Sequence, residues 1–449
     1  MAPPRLSLTF LGTCSGGGPL VNRAWSSACL SVDGKLWLID CGEGTLMQFM
    51  KAGLKTSDIS KIFITHCHAD HSLGIVPLLY NAMTSASGSN RTDLRVQVYG
   101  PSGIRELIRT TLRITQTILN GYYAVHELLT REDMPYPCPT NGMHQNEYAG
   151  KDIYCSADGF WREFETAGGL SMDAGPISHR MFCLGYVFKE PPVATSSTSD
   201  SSTFDRKSYL EHINRNRDVL IHEKGIKDPT SLIDLLLSTR VPIILPDGHV
   251  LSPPPPPLAS FPGSTLGRKI VVLGDTHDPW RMRELCMDAS LLVHEATNAF
   301  IHHSKLQEFK PGYTWCGNSE EKVRERAMSR GHSTPVMAGD FAHAIRARRL
   351  VLNHFSAKFA PPPPPSEAFK RGGGWFGLTR HEQGLANIMF EIERQATTSW
   401  QRSSPATTHN PPLQQWGTAI AAYDFMTIEI AEHEMTTEWR HEVGEINWN

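Results

Sequence analysis

The chain has 449 residues, 40% of them hydrophobic and 20% charged, a balance that excludes wholesale disorder and provides for a sizeable core. Lys plus Arg number 43 against 46 Asp plus Glu, a formal net charge of -3, so composition alone gives no general grip on a polyanion such as nucleic acid. No stretch approaches the roughly 18 apolar residues of a membrane span, and nine cysteines without a Cys-x-x-Cys pair argue for a reducing compartment and against a disulfide framework.

The N-terminus passes at once into a strand-like run, Leu6 to Leu11, which predicts neither a signal nor a transit peptide. Ala28–Val32 and Leu36–Ile39 read as a hairpin turning at Asp33-Gly34, and Glu43 to Ala52 has helical spacing of Leu46, Phe49 and Met50. Lys61 to Thr65 and Leu94 to Tyr99 read as buried strands, and Pro101 to Ile118 as a helix opened by proline. Glu132 to Gly169 reads as an irregular insertion, Thr195 to Thr203 as a Ser/Thr-rich linker, Phe204 to Leu237 as helical and Pro253–Pro257 as a polyproline spacer. The α/β rhythm resumes at Lys269–Leu273 and Leu350–Leu352. A second proline run (Pro361–Pro365), a glycine cluster (Gly372–Gly374), a helix from His381 to Gln395 and a closing strand from Ala421 to Ile430 follow. Strands alternating with helices predict an α/β layered core, a single domain over residues 1–449 interrupted by insertions.

Histidine is the compositional outlier, with twenty in the chain. Thr65-His-Cys-His-Ala-Asp-His71 directly follows an apolar strand. His66 and His68, two apart, project from one side of an extended chain, while Asp70 and His71 fall on the next turn. Three imidazoles and a carboxylate suit zinc where thiolates are absent; the bland alternative is a histidine-rich polar loop. Further candidate ligands sit at the ends of other apolar runs: His179 before Met181–Tyr186, Asp275 after Ile270–Gly274 and His354 after Leu350–Asn353. Each alone has an ordinary reading as a cap, turn or surface residue.

Together these residues resemble the tRNase Z (ribonuclease Z) branch of the metallo-β-lactamase superfamily in its short single-domain form. The motifs are Phe10-Leu-Gly-Thr13, Asp40-Cys-Gly-Glu-Gly-Thr45, the His66–His71 segment, Gly185-Tyr186 after His179 and Gly274-Asp275-Thr276. His294-Glu-Ala-Thr297, Gly331-His-Ser-Thr334, His354-Phe-Ser356 and Asp424-Phe-Met426 complete the series in the family's order. The resemblance implies an α/β four-layer αβ/βα sandwich with the metals at one edge, and an arm, residues 188–268, that protrudes to hold tRNA. It assigns His66, His68 and His179 to one zinc ion and Asp70, His71 and His354 to a second, with Asp275 bridging, so two Zn2+ per subunit. Asp40 and Glu295 would orient ligand imidazoles.

The implied reaction is hydroxide attack on a phosphodiester of precursor tRNA that frees the 3′ trailer and leaves a 3′-hydroxyl, with Asp70 as proton acceptor and His332 as general acid. A homodimer without membrane association, in the cytoplasm and also the nucleus, is expected. The arm departs from the pattern: Gly225-Ile-Lys-Asp-Pro229 only faintly resembles the family's glycine-proline motif, and acids offset its basic residues. One alternative is a metallohydrolase of a small phosphodiester or other small substrate. A second is a catalytically silent RNA-binding or scaffold relative, against which stands the presence of all seven candidate ligands.

Overall fold

The computed structural model describes residues 4–84, 93–133, 142–191, 206–224, 226, 228–233, 236, 243–247, 249–251, 267–305, 319–363, 378–402 and 417–431. The linker at Thr195–Thr203, the run Pro253–Pro257, the cluster Gly372–Gly374 and the end of Pro361–Pro365 lie outside them.

The first sheet begins with β1 (Leu6–Gly12), β2 (Ser27–Val32) and β3 (Lys35–Ile39), an antiparallel meander whose tight turn is at Asp33-Gly34. β4 (Ile59–Phe63), β5 (Leu94–Pro101) and β6 (Tyr122–Leu129) continue it in parallel, followed at its far edge by β7 (Glu147–Tyr148) and β8 (Asp152–Tyr154). The second sheet holds β9 (Trp161–Ala167), β10 (Leu170–Ile177) and β11 (Cys183–Lys189). Residues 192–266 form a compact unit of their own. In it the short strands β12 (Ile243–Ile244) and β13 (Val250–Leu251) make a hairpin, and Ile213, Leu220, Ile233 and Leu236 share a small core. The second sheet is completed by the parallel strands β14 (Lys269–Leu273), β15 (Leu291–Glu295), β16 (Leu350–Asn353) and β17 (Ile420–Ala421), while β18 (Thr427–Ile430) returns to pair with β1.

The described helices of this body are α1 (Thr45–Lys51), α2 (Ala69–Ser72), α3 (Ile75–Thr84), α4 (Ile104–Ile114), α5 (Arg283–Cys286), α6 (Glu320–Ser329), α7 (Pro335–Ala344) and α8 (Arg380–Trp400). Three apolar clusters define the layering. One, with Leu8, Phe10, Trp37 and Phe63 against Met172, Tyr186, Phe188 and Val272, lies between the two sheets. A second seals α1, α3 and α4 onto the first sheet, and a third seals α7 and α8 onto the second. A sheet buried on both faces accounts for the near-continuous apolar runs of β14 and β16. Helix starts follow capping chemistry: Thr379 and Glu382 close a capping box on α8, and Pro335 opens α7.

Three expectations are corrected. Pro101 ends β5 instead of opening a helix; the turn to α4 passes through Gly103 in the left-handed region at φ 96°. The described part of Glu132 to Gly169 is not irregular, since it supplies β7, β8 and β9. These are short or polar edge strands with little alternation to read, held by side chains: Arg109 pairs with Glu147 at 2.7 Å and Arg105 with Asp152 at 2.7 Å. The span from Ala421 to Ile430 is two strands in different sheets, with a turn at Asp424-Phe425 where Phe425 has φ 72°. Among the described residues no helix is long and apolar enough to cross a membrane, and the seven described cysteines are free thiols.

Candidate metal centre

The ends of β3, β4, β10, β14 and β16 deliver the chemistry-bearing residues to one rim. β4 leads into Thr65–His68, and α2 then turns Asp70 and His71 back toward it. Asp40 and His354 each leave a strand with left-handed backbone, φ 59° and 57°, an uncommon conformation that turns both side chains inward at a cost in strain.

Two donor groups result. His66 Nε2 lies 2.8 Å and His179 Nε2 3.3 Å from His68 Nδ1. Asp275 Oδ2 stands 3.8 Å and 3.9 Å from the first two nitrogens. On the other side His71 Nε2 faces His354 Nε2 at 3.1 Å. Asp70 Oδ2 is 3.4 and 3.3 Å from these two atoms, and Asp275 Oδ1 is likewise 3.4 and 3.3 Å from them. The two oxygens of Asp275 thus face different groups. Zinc–nitrogen bonds of about 2.0–2.1 Å make a tetrahedron with edges of about 3.3 Å, which matches most of these separations.

The outward nitrogens fix the tautomers. His179 Nδ1–H donates to the Gly331 carbonyl at 2.7 Å, and His71 Nδ1–H to Asp40 Oδ2 at 2.7 Å. Thr65 Oγ1 donates to Asp40 and so accepts from His66 Nδ1 at 3.0 Å. Thr297 Oγ1 donates to Glu295 and accepts from His354 Nδ1 at 2.9 Å. Rings held in this way turn their Nε2 atoms inward, toward one another and toward carboxylate oxygens. Such a cluster demands positive charge. Burial opposes a charge on His71, yet Asp275 and Asp40 hold its pKa well above the ordinary histidine value. Burial likewise opposes the charge of Asp275, and His354 and His71 keep it far below the usual carboxylate range. The donor set fits metal binding, both in chemistry and in spacing.

His332 stands beside both groups, its ring centroid 5.1 Å from that of His179 and 5.5 Å from that of His354. Its Nδ1 donates to Glu295 Oε1 at 3.1 Å. Burial disfavours the imidazolium, and Glu295 outweighs burial, lifting the pKa to about 9. Glu295 therefore touches His332 directly and His354 only through Thr297. All ten residues singled out from the sequence lie at this rim. Thr65, Thr297, the Gly331 carbonyl and Gly16 were missed. A Cβ on Gly16 would come 2.9 Å from Asp70 Oδ2, and one on Gly331 2.6 Å from His179 Nδ1. Thr65, Thr297 and Gly331 each had a signal, as end residues of Thr65–His71, His294–Thr297 and Gly331–Thr334; Gly16 had none.

Two sheets packed face to face between helix layers, with a histidine–aspartate cluster at one rim, define a protein of the metallo-β-lactamase fold. The crystal structure of human tRNase Z, short form (ELAC1), has this fold and matches 95% of this chain and 99% of its own, with a TM-score of 0.51 and 24% identity. The family model described as anti-Pycsar protein Apyc1 matches residues 6–134. Human zinc phosphodiesterase ELAC protein 1 is 30% identical over 371 residues, covering 79% of this chain and 88% of the relative. Ribonuclease Z of Nostoc sp. (strain PCC 7120) is 31% identical over 359 residues, covering 79% and 85%. The chain belongs to the ribonuclease Z family, whose members include the ELAC zinc phosphodiesterases.

Proposed function

We propose that this protein is a zinc-dependent endoribonuclease that removes the 3′ trailer from precursor tRNA. The observation that carries the reading is the pairing of two donor groups through Asp275, with the His332–Glu295 pair beside them, in a member of the ribonuclease Z family. His66, His68 and His179 would hold one zinc ion, Asp70, His71 and His354 a second, and Asp275 both. A bound pair of such ions supplies Lewis acidity and hydroxide at neutral pH. Burial disfavours the Asp70 carboxylate, but His354 and His71 keep it ionised and able to accept the proton of the attacking water. As the new bond from oxygen to phosphorus forms, the bond from phosphorus to the ribose 3′-oxygen breaks. His332, cationic at neutral pH and anchored by Glu295, delivers its proton to that leaving oxygen. The tRNA keeps a 3′-hydroxyl and the trailer keeps the phosphate.

Residues 192–266, within the insertion expected at 188–268, are the proposed tRNA-holding arm. Met47 and Met50 on α1, Leu73, and Tyr80 on α3 are exposed by 56%, 63%, 52% and 48%, apolar surface that suits a homodimer contact. Cytoplasm, and also nucleus, are the proposed compartments. The test maps the ends produced from a 3′-extended precursor tRNA with and without zinc, using His68→Ala as control. A single zinc-dependent cut after the discriminator base, absent in the variant, supports the proposal. An intact precursor alongside hydrolysis of bis(p-nitrophenyl) phosphate would move the substrate to small phosphodiesters.

A further inference from the structure

His354 carries a left-handed backbone, and such a conformation persists only where its surroundings over-determine it. The residue that follows is gripped on both sides of its peptide. Phe355 N–H donates to the Thr13 carbonyl and Ser15 N–H to the Phe355 carbonyl, each at 2.9 Å. One residue on, the chain presses against Asp70: a Cβ on Gly16 would lie 2.9 and 3.1 Å from its two carboxylate oxygens. The segment Thr13–Gly16 therefore braces Asp70 and the exit from His354, two members of one donor group. Among the described residues no hydrogen bond joins it to His66, His68 or His179 of the other group.

Thr13 lies just beyond β1, and side chains set its position. Asp424 Oδ1 accepts from Thr13 N–H at 3.1 Å and from Thr13 Oγ1 at 2.8 Å. Its Oδ2 accepts from Ala24 N–H at 2.6 Å and from Gln48 Nε2 on α1 at 3.0 Å. Arg23 Nη1 donates to the same Thr13 hydroxyl at 2.8 Å, and its guanidinium carbon sits 4.7 Å from the centre of the Phe355 ring. Thr13 Oγ1 thus joins a buried cation to a carboxylate, while Phe355 is held through both its backbone and its ring. Tying the chain's ends together does not call for such a network. β1 and β18 have their own ladder from Leu6↔Ile430 to Thr9↔Thr427, and Phe10 N–H donates to the Met426 carbonyl at 2.9 Å. Apolar side chains would extend that contact without the cost of burying a guanidinium, which leaves Arg23 only 1% exposed here. What the charged network adds is a fixed place for Thr13.

We infer that Thr13, Arg23 and Asp424 are positioning residues for the Asp70 and His354 half of the metal centre. They are not ligands; they act through the Thr13–Gly16 backbone on the two side chains that are. This rests on the proposed zinc reading and deepens it, and it gives a use to Phe10-Leu-Gly-Thr13 and Asp424-Phe-Met426, which the reaction itself leaves idle.

The test reads metal binding and not activity. Stepwise zinc affinities are measured by chelator competition for the wild type, Thr13→Val, Thr13→Ser and Asp424→Asn, with chemical denaturation in parallel. Thr13→Val keeps the shape and removes the hydroxyl, so one of the two affinities should fall about tenfold and the other change less than about twofold. Thr13→Ser should restore the lost affinity, and the isosteric Asp424→Asn should repeat the loss even if Thr13→Val fails to fold. In crystals of the variants at limiting zinc, the anomalous peak among Asp70, His71 and His354 should weaken relative to the one among His66, His68 and His179. Equal weakening of both peaks, weakening of the other peak alone, or lowered stability with both affinities unchanged would overturn the inference. A wild-type protein that takes up no zinc would sink the zinc reading first and this inference with it, so the two failures are distinct.

Discussion

His71 is held from both sides: its Nδ1–H donates to Asp40, and its Nε2 is turned toward His354, Asp70 and Asp275. His354 depends in the same way on Thr297, one hydroxyl that joins it to Glu295. Thr297→Val keeps the shape and removes the link, so affinity for the second metal should fall about 10–100-fold in a chelator competition. Unchanged affinity would mean that packing alone orients the ring. His332→Ala should lower kcat by about 10²- to 10⁴-fold with metal content intact. Loss of metal in this variant would instead make His332 a ligand, a role its distance to Asp275 Oδ2 of 3.8 Å also permits. Histidines and aspartates at strand ends were legible because both type and spacing mark them. The Gly331 carbonyl and the Thr65 hydroxyl were not, because their roles come from where the fold puts ordinary groups.

At the scale of elements, strands with continuous apolar runs were readable, and the short edge strands β7 and β8 were not. The crossing from β17 to β18 was hidden because two strands separated by a turn share one apolar stretch. That turn is fixed by Asp424, which accepts from Ala24 N–H at 2.6 Å, Thr13 N–H at 3.1 Å and Gln48 Nε2 at 3.0 Å. Arg23 lies buried alongside, donating to Thr13 Oγ1 at 2.8 Å and to the Ala422 carbonyl at 3.3 Å, with Phe355 beneath its guanidinium. The loop beside Asp70 is thus fastened to the turn between β17 and β18. Helix α8 meets β17 through Glu393, whose Oε1 accepts from Ala421 N–H at 2.8 Å. Burial lifts the pKa of Glu393 from 4.5 to about 7, against the opposing effect of that hydrogen bond. Because the folded value is the higher one, the stability from this group is complete below about pH 4.5 and is lost as pH rises through about 7. Glu393→Gln keeps the acceptor and removes the charge. It should stabilise the protein by about 1–3 kcal/mol near pH 8 and far less near pH 4.5, read from chemical denaturation. An equal effect at both pH values would contradict the assignment.

For the whole molecule, two sheets face to face bring together residues that the chain keeps far apart; His71 and His354 are separated by 283 positions. No local pattern reports such a meeting, so grouping the ligands by sequence required the family resemblance, whereas their sharing of one rim follows from strand ends in a common layer. If Met47, Met50, Leu73 and Tyr80 form the contact between two copies, Met47→Glu/Met50→Glu should convert a dimer to a monomer in light scattering while leaving metal content unchanged. A monomeric wild type would remove the dimer from the proposal. The most direct test of the metal centre is anomalous diffraction at the zinc edge from crystals of the zinc-loaded protein. Two peaks are expected, one among His66, His68 and His179 and one among Asp70, His71 and His354, each contacted by a different oxygen of Asp275. A single peak, or none between these side chains, would contradict the paired centre from which the reaction was derived.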